Sequence, residues 1–283
     1  MTIQDAAKEI RKELRAIYEE GESAAISNLV IEHLAGALSS NRSLQKEQSL
    51  IPEQEEQFNV ILSRLLKHEP VQYVLEEAWF AGVKFYVDKN VLIPRPETEE
   101  LVEWVIANCK FPLDKLSILD IGTGSGCIPI TLKRRLRKAS ISSCDISEAA
   151  LAVAKRNALT IGVDINFLHL NFLERSQRES LPRFDIIISN PPYVPVKDKE
   201  SMQANVLNYE PHTALFVPDN DALVFYKAIA EFGSAHLEPG GSIYTELHED
   251  LAQSAQQLFT ANGYNTEIKK DMQDKERMLK AIH

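Results

Sequence analysis

The sequence predicts an α/β protein: a seven-stranded, mostly parallel sheet preceded by a small N-terminal helical bundle and joined to it by a β-hairpin. Three observations predict it. Apolar residues keep helical spacing through residue 75, a β-rich stretch occupies 79–93, and strand and helix signals alternate after residue 115. The 283 residues leave room for a large domain with a smaller attachment. Hydrophobic residues make up 44% and charged residues 25%, the balance of a folded globular chain, which sets aside disordered and collagen-like classes.

Within residues 1–75 the apolar positions form three runs: Ile10, Leu14 and Ile17; Ile26, Leu29, Val30, Ile31 and Leu34; Phe58, Ile61, Leu62, Leu65 and Leu66. Polar stretches at 39–43 and 53–56 lie between or beside them, so the segment reads as a small bundle. It holds 8 basic against 12 acidic residues, which argues against a nucleic-acid-binding appendage and for a protein-facing adaptor.

Residues 76–95 read as a hairpin linker, with Asp88-Lys89-Asn90 turning between two β-branched or alternating runs. Pro94-Arg95-Pro96-Glu97-Thr98-Glu99-Glu100 then stops the strand and opens a helix. Proline is tolerated in a first turn, and carboxylates favour the positive helix end. Leu101, Val102, Val105 and Ile106 supply its buried stripe.

The main domain, 96–283, continues with strands at 118–121, 141–144, 165–168, 184–189 and 242–246, and two closing strands at 264–269 and 277–282. Helices are expected at 127–137, 148–159, 222–236 and 249–261. Such alternation means a Rossmann-like sheet covered on both faces.

A formal net charge of −10 is the wrong sign for gripping a phosphate backbone over a wide face, although an acidic surface can favour a basic partner. Cys109, Cys127 and Cys144 form no C-x-x-C pair, so neither a disulfide framework nor a zinc knuckle is indicated. The first thirty residues lack a signal-peptide apolar core, and no run approaches the roughly 18 apolar residues that span a bilayer. A cytoplasmic, unanchored chain is expected, with no metal.

The segment Ile118-Leu119-Asp120-Ile121-Gly122-Thr123-Gly124-Ser125-Gly126 is an apolar strand running into a glycine turn and a helix, where a ligand can approach bare backbone. The dinucleotide fingerprint needs a third glycine at 127 or 129, positions held by Cys127 and Pro129. A glycine turn without a pyrophosphate grip suits S-adenosylmethionine, which carries a sulfonium and an amino acid tail in place of phosphates. Asp145, 19 residues beyond Gly126, stands where a carboxylate accepts ribose hydroxyls; the plainer alternative is a tight turn and a helix cap.

At the end of strand 184–189 stands Asn190-Pro191-Pro192-Tyr193, on the rim where ligands of such sheets bind. Asn190 offers a side-chain carbonyl and Pro191 a backbone carbonyl on stiff chain, two acceptors for both hydrogens of one NH2 group. A planar amide nitrogen is a poor nucleophile because its lone pair is delocalised. Two hydrogen bonds aim it and stabilise the positive charge that develops on it. Tyr193 can pack against the planar group.

Asp120 to Gly126 together with Asn190-Pro191-Pro192-Tyr193 resembles the class I S-adenosylmethionine-dependent methyltransferases that act on planar exocyclic or amide nitrogen. Leu92-Ile93-Pro94-Arg95-Pro96-Glu97-Thr98-Glu99, Glu69-Pro70-Val71-Gln72-Tyr73 and Tyr209-Glu210-Pro211-His212-Thr213-Ala214-Leu215 narrow the likeness. They resemble the HemK-type peptide chain release factor N5-glutamine methyltransferases, from about Glu69 to the Asp274-Lys275-Glu276-Arg277 segment. The resemblance implies a methyl transfer from S-adenosylmethionine to the glutamine amide of the Gly-Gly-Gln loop in class I release factors, with the helical domain recognising that protein.

By the same resemblance Asn190, Pro191 and Tyr193 are catalytic. Pro192, Arg95 and Glu97 join them at the substrate, and Gly122, Thr123, Gly124, Gly126, Asp145, Asn171, Phe172 and Asn190 hold the cofactor. Two departures stand out: Leu75-Glu76-Glu77 falls where relatives usually have a glycine, and Leu170-Asn171-Phe172 replaces the usual Gly-Asp pair. Asn171 can still bond the adenine edge and Phe172 can still stack.

Asp120 either meets the cofactor's amino end or closes its strand through local bonds. Arg95 either clamps a carboxylate or pairs with Glu97 or Glu99. The seven histidines lack metal spacing, and Ser125 and Ser189 lack a His-Asp partnership. A monomer with no nucleic-acid substrate is expected. The rival readings are an RNA or DNA amino-methyltransferase and a non-catalytic nucleoside-binding adaptor.

Overall fold

A computed structural model of the protein describes residues 1–35, 47–109, 111–112 and 114–282. The chain divides into two compact units, Met1–Glu77 with Gln203–Tyr209, and Ala78–Met202 with Glu210–His283. The polar tract expected at 39–43 lies outside the described residues.

The first unit is helical. Helix α1 (Ile3–Leu14) starts at a capping box, in which Thr2 Oγ1 accepts from Asp5 N at 3.1 Å and Thr2 N donates to the Asp5 carboxylate at 3.4 Å. Its buried residues Ile3, Ala6, Ile10 and Leu14 recur at three- and four-residue intervals and meet α2 (Glu20–Ala35) and α3 (Pro52–Leu65) in one core around Phe58 and Leu65. The acidic stretch 53–56 opens α3 behind Pro52. A fourth helix, α4 (Val71–Leu75), was not expected; Pro70 starts it and Glu76 ends it in the left-handed region at φ 56°. Arg64 closes this corner, with two bonds to Glu69 and others to the Tyr73 and Val74 carbonyls.

The second unit begins at Ala78 within a hairpin, Glu77–Phe80 and Val83–Tyr86, whose turn is Ala81-Gly82 and not Asp88-Lys89-Asn90. Both turn residues have positive φ, 48° and 71°, the geometry of a two-residue turn that matches strand twist. The hairpin is built into the core of the second unit. Phe80 and Phe85 are fully buried in the core of the second unit, and Asn157 exchanges bonds with both the N–H and the C=O of Tyr86.

Helix α5 (Pro96–Asn108) precedes seven strands: β1 (Ser117–Ile121), β2 (Ser140–Asp145), β3 (Asn166–His169), β4 (Phe184–Ser189), β5 (Leu237–Glu246), β6 (Asn265–Lys270) and β7 (Glu276–Ile282). The spatial order is β3-β2-β1-β4-β5-β7-β6, parallel except for β7, which runs antiparallel to both its neighbours. The chain builds outward from β1 to β3 and then crosses to β4 on the other side of β1. That reversal opens a crevice at the carboxyl ends of β1 and β4.

Helices α6 (Cys127–Arg135), α7 (Glu148–Ile161), α8 (Val224–His236) and α9 (Ala252–Ala261) cover the sheet. Successive strand residues point to opposite faces, so Leu119, Ile187 and Ile243 enter one core while Ile118, Ile186, Ile188 and Tyr244 enter the other. Strand β5 begins five residues before the expected 242, because Pro239-Gly240-Gly241 is accommodated as an irregularity opposite the start of β4. Among the described residues no helix is long and apolar enough to cross a membrane.

Candidate functional site

A cavity of about 380 Å³ opens over the carboxyl ends of β1, β2 and β4. Its floor is the glycine turn after β1. Gly122, Gly124 and Gly126 all have positive φ, at 85°, 53° and 82°. Gly126 is also held by contact, since a Cβ there would lie 2.9 Å from Ile130 and 3.1 Å from Ala154. The turn thus drops tightly into α6.

Asp145 ends β2 and ties the turn down: Oδ2 accepts from Gly124 N and Oδ1 from Ser147 N, both at 2.9 Å. Burial raises its pKa and these backbone bonds oppose the rise. It caps the approach to α7 and still has lone pairs for a hydroxylated ligand. The next residue, Ile146, is 55% exposed and also lines the cavity, an apolar wall that sequence reasoning missed although it adjoins Asp145.

Beneath the turn, Thr123 and Ser143 share a 2.5 Å hydroxyl contact and Ser143 donates to Asp120 at 2.6 Å. Asp120 is fully buried, its Oδ1 has no partner, and it does not line the cavity. Burial lifts its pKa to about 7, against the Ser143 bond and with the help of the Asp145 charge. Its visible role is therefore the local bonding, not the rim. Burial also pushes the neighbouring Cys127 thiol up to about 12 and the Cys144 thiol up as well, so both stay protonated.

Asn190 leaves β4 beside the turn; a Cβ on Gly122 would sit 3.7 Å from the Asn190 backbone oxygen. Asn190 Nδ2 donates to Thr98 Oγ1 at 3.0 Å, Thr98 donates to Glu246 Oε2 at 2.6 Å, and Tyr193 Oη donates to Glu246 Oε1 at 3.0 Å. Glu246 is buried at the end of β5, and burial raises its pKa against the two hydroxyl bonds. Thr98 and Glu246 were not singled out from the sequence, because they stand 148 residues apart and no local motif joins them.

Asn190, Pro191 and Pro192 line the cavity together with Gly122, Thr123, Gly124, Asp145, Asn171 and Phe172. Other expected residues lie elsewhere. Tyr193 is not at the cavity wall; its ring meets His248 edge-on at 5.8 Å and its hydroxyl is taken by Glu246. Glu97 and Gly126 are both absent from the wall. Arg95 lines the cavity but pairs with the buried Glu210 at 2.5 Å, not with Glu97 or Glu99. Glu210 also accepts from Ile93 N, so this pair locks the two segments that carry the upstream and downstream motifs. Phe172 commits its ring to the core, 5.3 Å from Phe232 and edge-on, while Asn171 Oδ1 accepts from Leu173 N.

A crossover sheet with a glycine turn and a strand-end acid at the switch point is the arrangement of the class I methyltransferase fold. The Methyltransferase small domain model matches residues 101–213, and the fold is shared with a methyltransferase crystal structure from Pyrococcus furiosus at a TM-score of 0.53 and 17% identity, over 78% of this chain and 96% of that one. The PrmC N-terminal domain model matches residues 5–75. The chain is 42% identical to a release factor glutamine methyltransferase of Flavobacterium psychrophilum, covering 99% of both, and 40% identical to one of Bacteroides thetaiotaomicron, covering 96% of this chain and 97% of that one. It belongs to the release factor glutamine methyltransferase family.

Proposed function

We propose that this protein transfers a methyl group from S-adenosylmethionine to the side-chain amide nitrogen of the glutamine in the Gly-Gly-Gln motif of class I release factors. We place the reaction in the cytoplasm, on a protein and not on nucleic acid, with the enzyme acting as a monomer. The N-terminal helical unit recognises the release factor, because a short loop alone offers little area by which one protein is told from another.

The residues present fit the cofactor. Bare glycine backbone, the remaining lone pairs of Asp145 and the apolar surface of Ile146 suit a nucleoside that carries an amino acid tail. When bound, S-adenosylmethionine supplies an electrophilic methyl carbon. The work of this chain is to hold the acceptor nitrogen in line with it. Asn190 Oδ1 and the Pro191 carbonyl accept the two amide protons, fix the nitrogen's direction and stabilise its growing positive charge. Pro192 keeps this segment stiff, and Tyr193 anchors it from behind through Glu246.

The observation that carries the reading is the orientation of Asn190. Its NH2 is engaged by Thr98, and no donor among the described residues bonds its carbonyl oxygen, which belongs to a side chain on the cavity wall. The test is to incubate enzyme, release factor and labelled cofactor, and to locate the label by mass spectrometry. Label is expected on the Gly-Gly-Gln glutamine. In Asn190→Ala, turnover is expected to fall about 10²–10³-fold with cofactor affinity retained. Label on nucleic acid instead of the protein would overturn the assignment.

A further inference from the structure

We propose that Thr98 and Glu246 are positioning residues that set which end of the Asn190 carboxamide faces the reaction cavity. The inference rests on the reading of Asn190 as an amide acceptor. The two ends of a carboxamide are nearly the same size, so packing alone does not distinguish the productive orientation, carbonyl toward substrate, from the flipped one. The hydrogen-bond chain does.

Thr98 has one proton and gives it to Glu246 Oε2 at 2.6 Å. Toward Asn190 its oxygen is therefore left as an acceptor only, and the 3.0 Å contact must be filled by the asparagine NH2. The Asn190 carbonyl is thereby turned to the other side. Glu246 is held in the same acceptor role by its second partner, the Tyr193 hydroxyl at 3.0 Å, so an ionised Glu246 draws donors from both neighbours.

The chain has a direction, and the charge on Glu246 sets it. A protonated Glu246 that donates from Oε2 would make Thr98 accept there. Thr98 would then donate to Asn190, and the carboxamide would be stable flipped, with its NH2 turned toward a substrate NH2. The groups facing Glu246 are Thr98 and Glu97 from α5, Tyr193 from the loop after β4, Arg277 from β7, and Tyr226 from α8, whose hydroxyl bonds the Glu246 backbone carbonyl. Burial and the Glu97 charge favour the protonated form, while the two hydroxyl donors and Arg277 favour the charged one.

The test compares Thr98→Val, Thr98→Ser and Glu246→Gln in the full-length enzyme with the Gly-Gly-Gln-bearing release factor, measuring kcat, KM, cofactor affinity and the pH profile. Thr98→Val keeps the shape but neither donates nor accepts, and is expected to lose about tenfold or more in kcat with KM and cofactor affinity little changed. Thr98→Ser is expected to restore kcat. Wild-type kcat should fall on the acid side as Glu246 takes up a proton, and Glu246→Gln should lower kcat and abolish that limb, because an amide does not titrate.

Full activity in Thr98→Val, an acid limb unchanged in Glu246→Gln, or loss of kcat and cofactor affinity in step would each overturn the proposal. Asn190→Ala separates it from the functional reading. If that variant is inactive while Thr98→Val is fully active, only the positioning role fails; if Asn190→Ala turns over normally, the functional reading fails first.

Discussion

Among the described residues the helical unit buries two polar side chains, Ser23 and Ser27, each satisfied by a backbone carbonyl, at Glu20 and Ala7. The catalytic unit buries Asp120, Glu210, Glu246, Asp271, Arg178 and Asn157, besides several hydroxyls. A hydroxyl bonded to a helix carbonyl costs the fold little, whereas an ionisable group taken out of water costs several kcal/mol unless it is well bonded. The interior of the first unit is therefore almost wholly apolar, with its polar ties, the Thr2 capping box and the Arg64–Glu69 corner, at the margin. The second carries destabilising groups where they orient others: Glu210 locks Arg95 and Ile93, Glu246 orders Thr98 and Tyr193, and Asn157 joins the hairpin to the carbonyl of Ser125 in the glycine turn.

The contrast predicts different failures in the two regions. Phe58 is fully buried at the centre of the helical core, and Phe58→Ala is expected to destabilise that unit by about 3–5 kcal/mol. The cavity wall draws all its residues from the other unit, so cofactor affinity measured by calorimetry should stay at the wild-type value. Methylation of an intact release factor should weaken through kcat/KM, while a short Gly-Gly-Gln peptide is modified as before. Equal loss on factor and peptide would assign the helical unit a folding role instead of recognition.

A smaller effect reads out the buried acid. In the unfolded chain Asp120 titrates near the ordinary value of 3.8, whereas in the native state burial holds it at about 7. Between those values the native state keeps a proton that the unfolded state has released. Its contribution therefore makes stability fall as pH rises through that window, with a slope of at most about 1.4 kcal/mol per pH unit. Denaturant midpoints across the window should show this decline in the wild type and a flatter line in Asp120→Asn. Identical profiles would mean that the carboxyl is ionised throughout.

What was legible in the sequence was local. Strand β4 ends where its apolar run meets Asn190-Pro191, and the glycine turn announces itself between β1 and α6. The acceptor at Asn190 could be read because its chemistry sits within four consecutive residues. Its supports could not, since Thr98, Glu246 and Asn190 come from three distant elements that only the crossover topology brings together. The hairpin turn was misplaced because Asp88-Lys89-Asn90 looks more turn-like than Ala81-Gly82, yet strand pairing selected the latter despite the positive φ imposed on Ala81. For Arg95 the sequence leaves open a clamp on a carboxylate or a pair with Glu97 or Glu99 at its own helix start. It clamps the carboxylate of Glu210, 115 residues on, a partner no periodicity reveals.

One departure from the family pattern has a direct conformational consequence. Leu75-Glu76-Glu77 falls where a glycine is usual in the resemblance noted from sequence, and Glu76 there closes α4 in the left-handed region at φ 56°. A side chain with a Cβ is strained in that region and glycine is not, although glycine also raises the entropy of the unfolded chain. The balance favours Glu76→Gly by about 0.5–1 kcal/mol, the smallest change considered and the only stabilising one. Glu76 is exposed and contributes to the potential at Arg64, so removal of its charge has to be separated from relief of backbone strain. Glu76→Ala does this: it deletes the charge but keeps the Cβ. A rise in the denaturant midpoint for the glycine variant and none for the alanine variant is the expected pair of results. Equal shifts in both would trace the effect to the carboxylate and leave the left-handed cap without measurable strain.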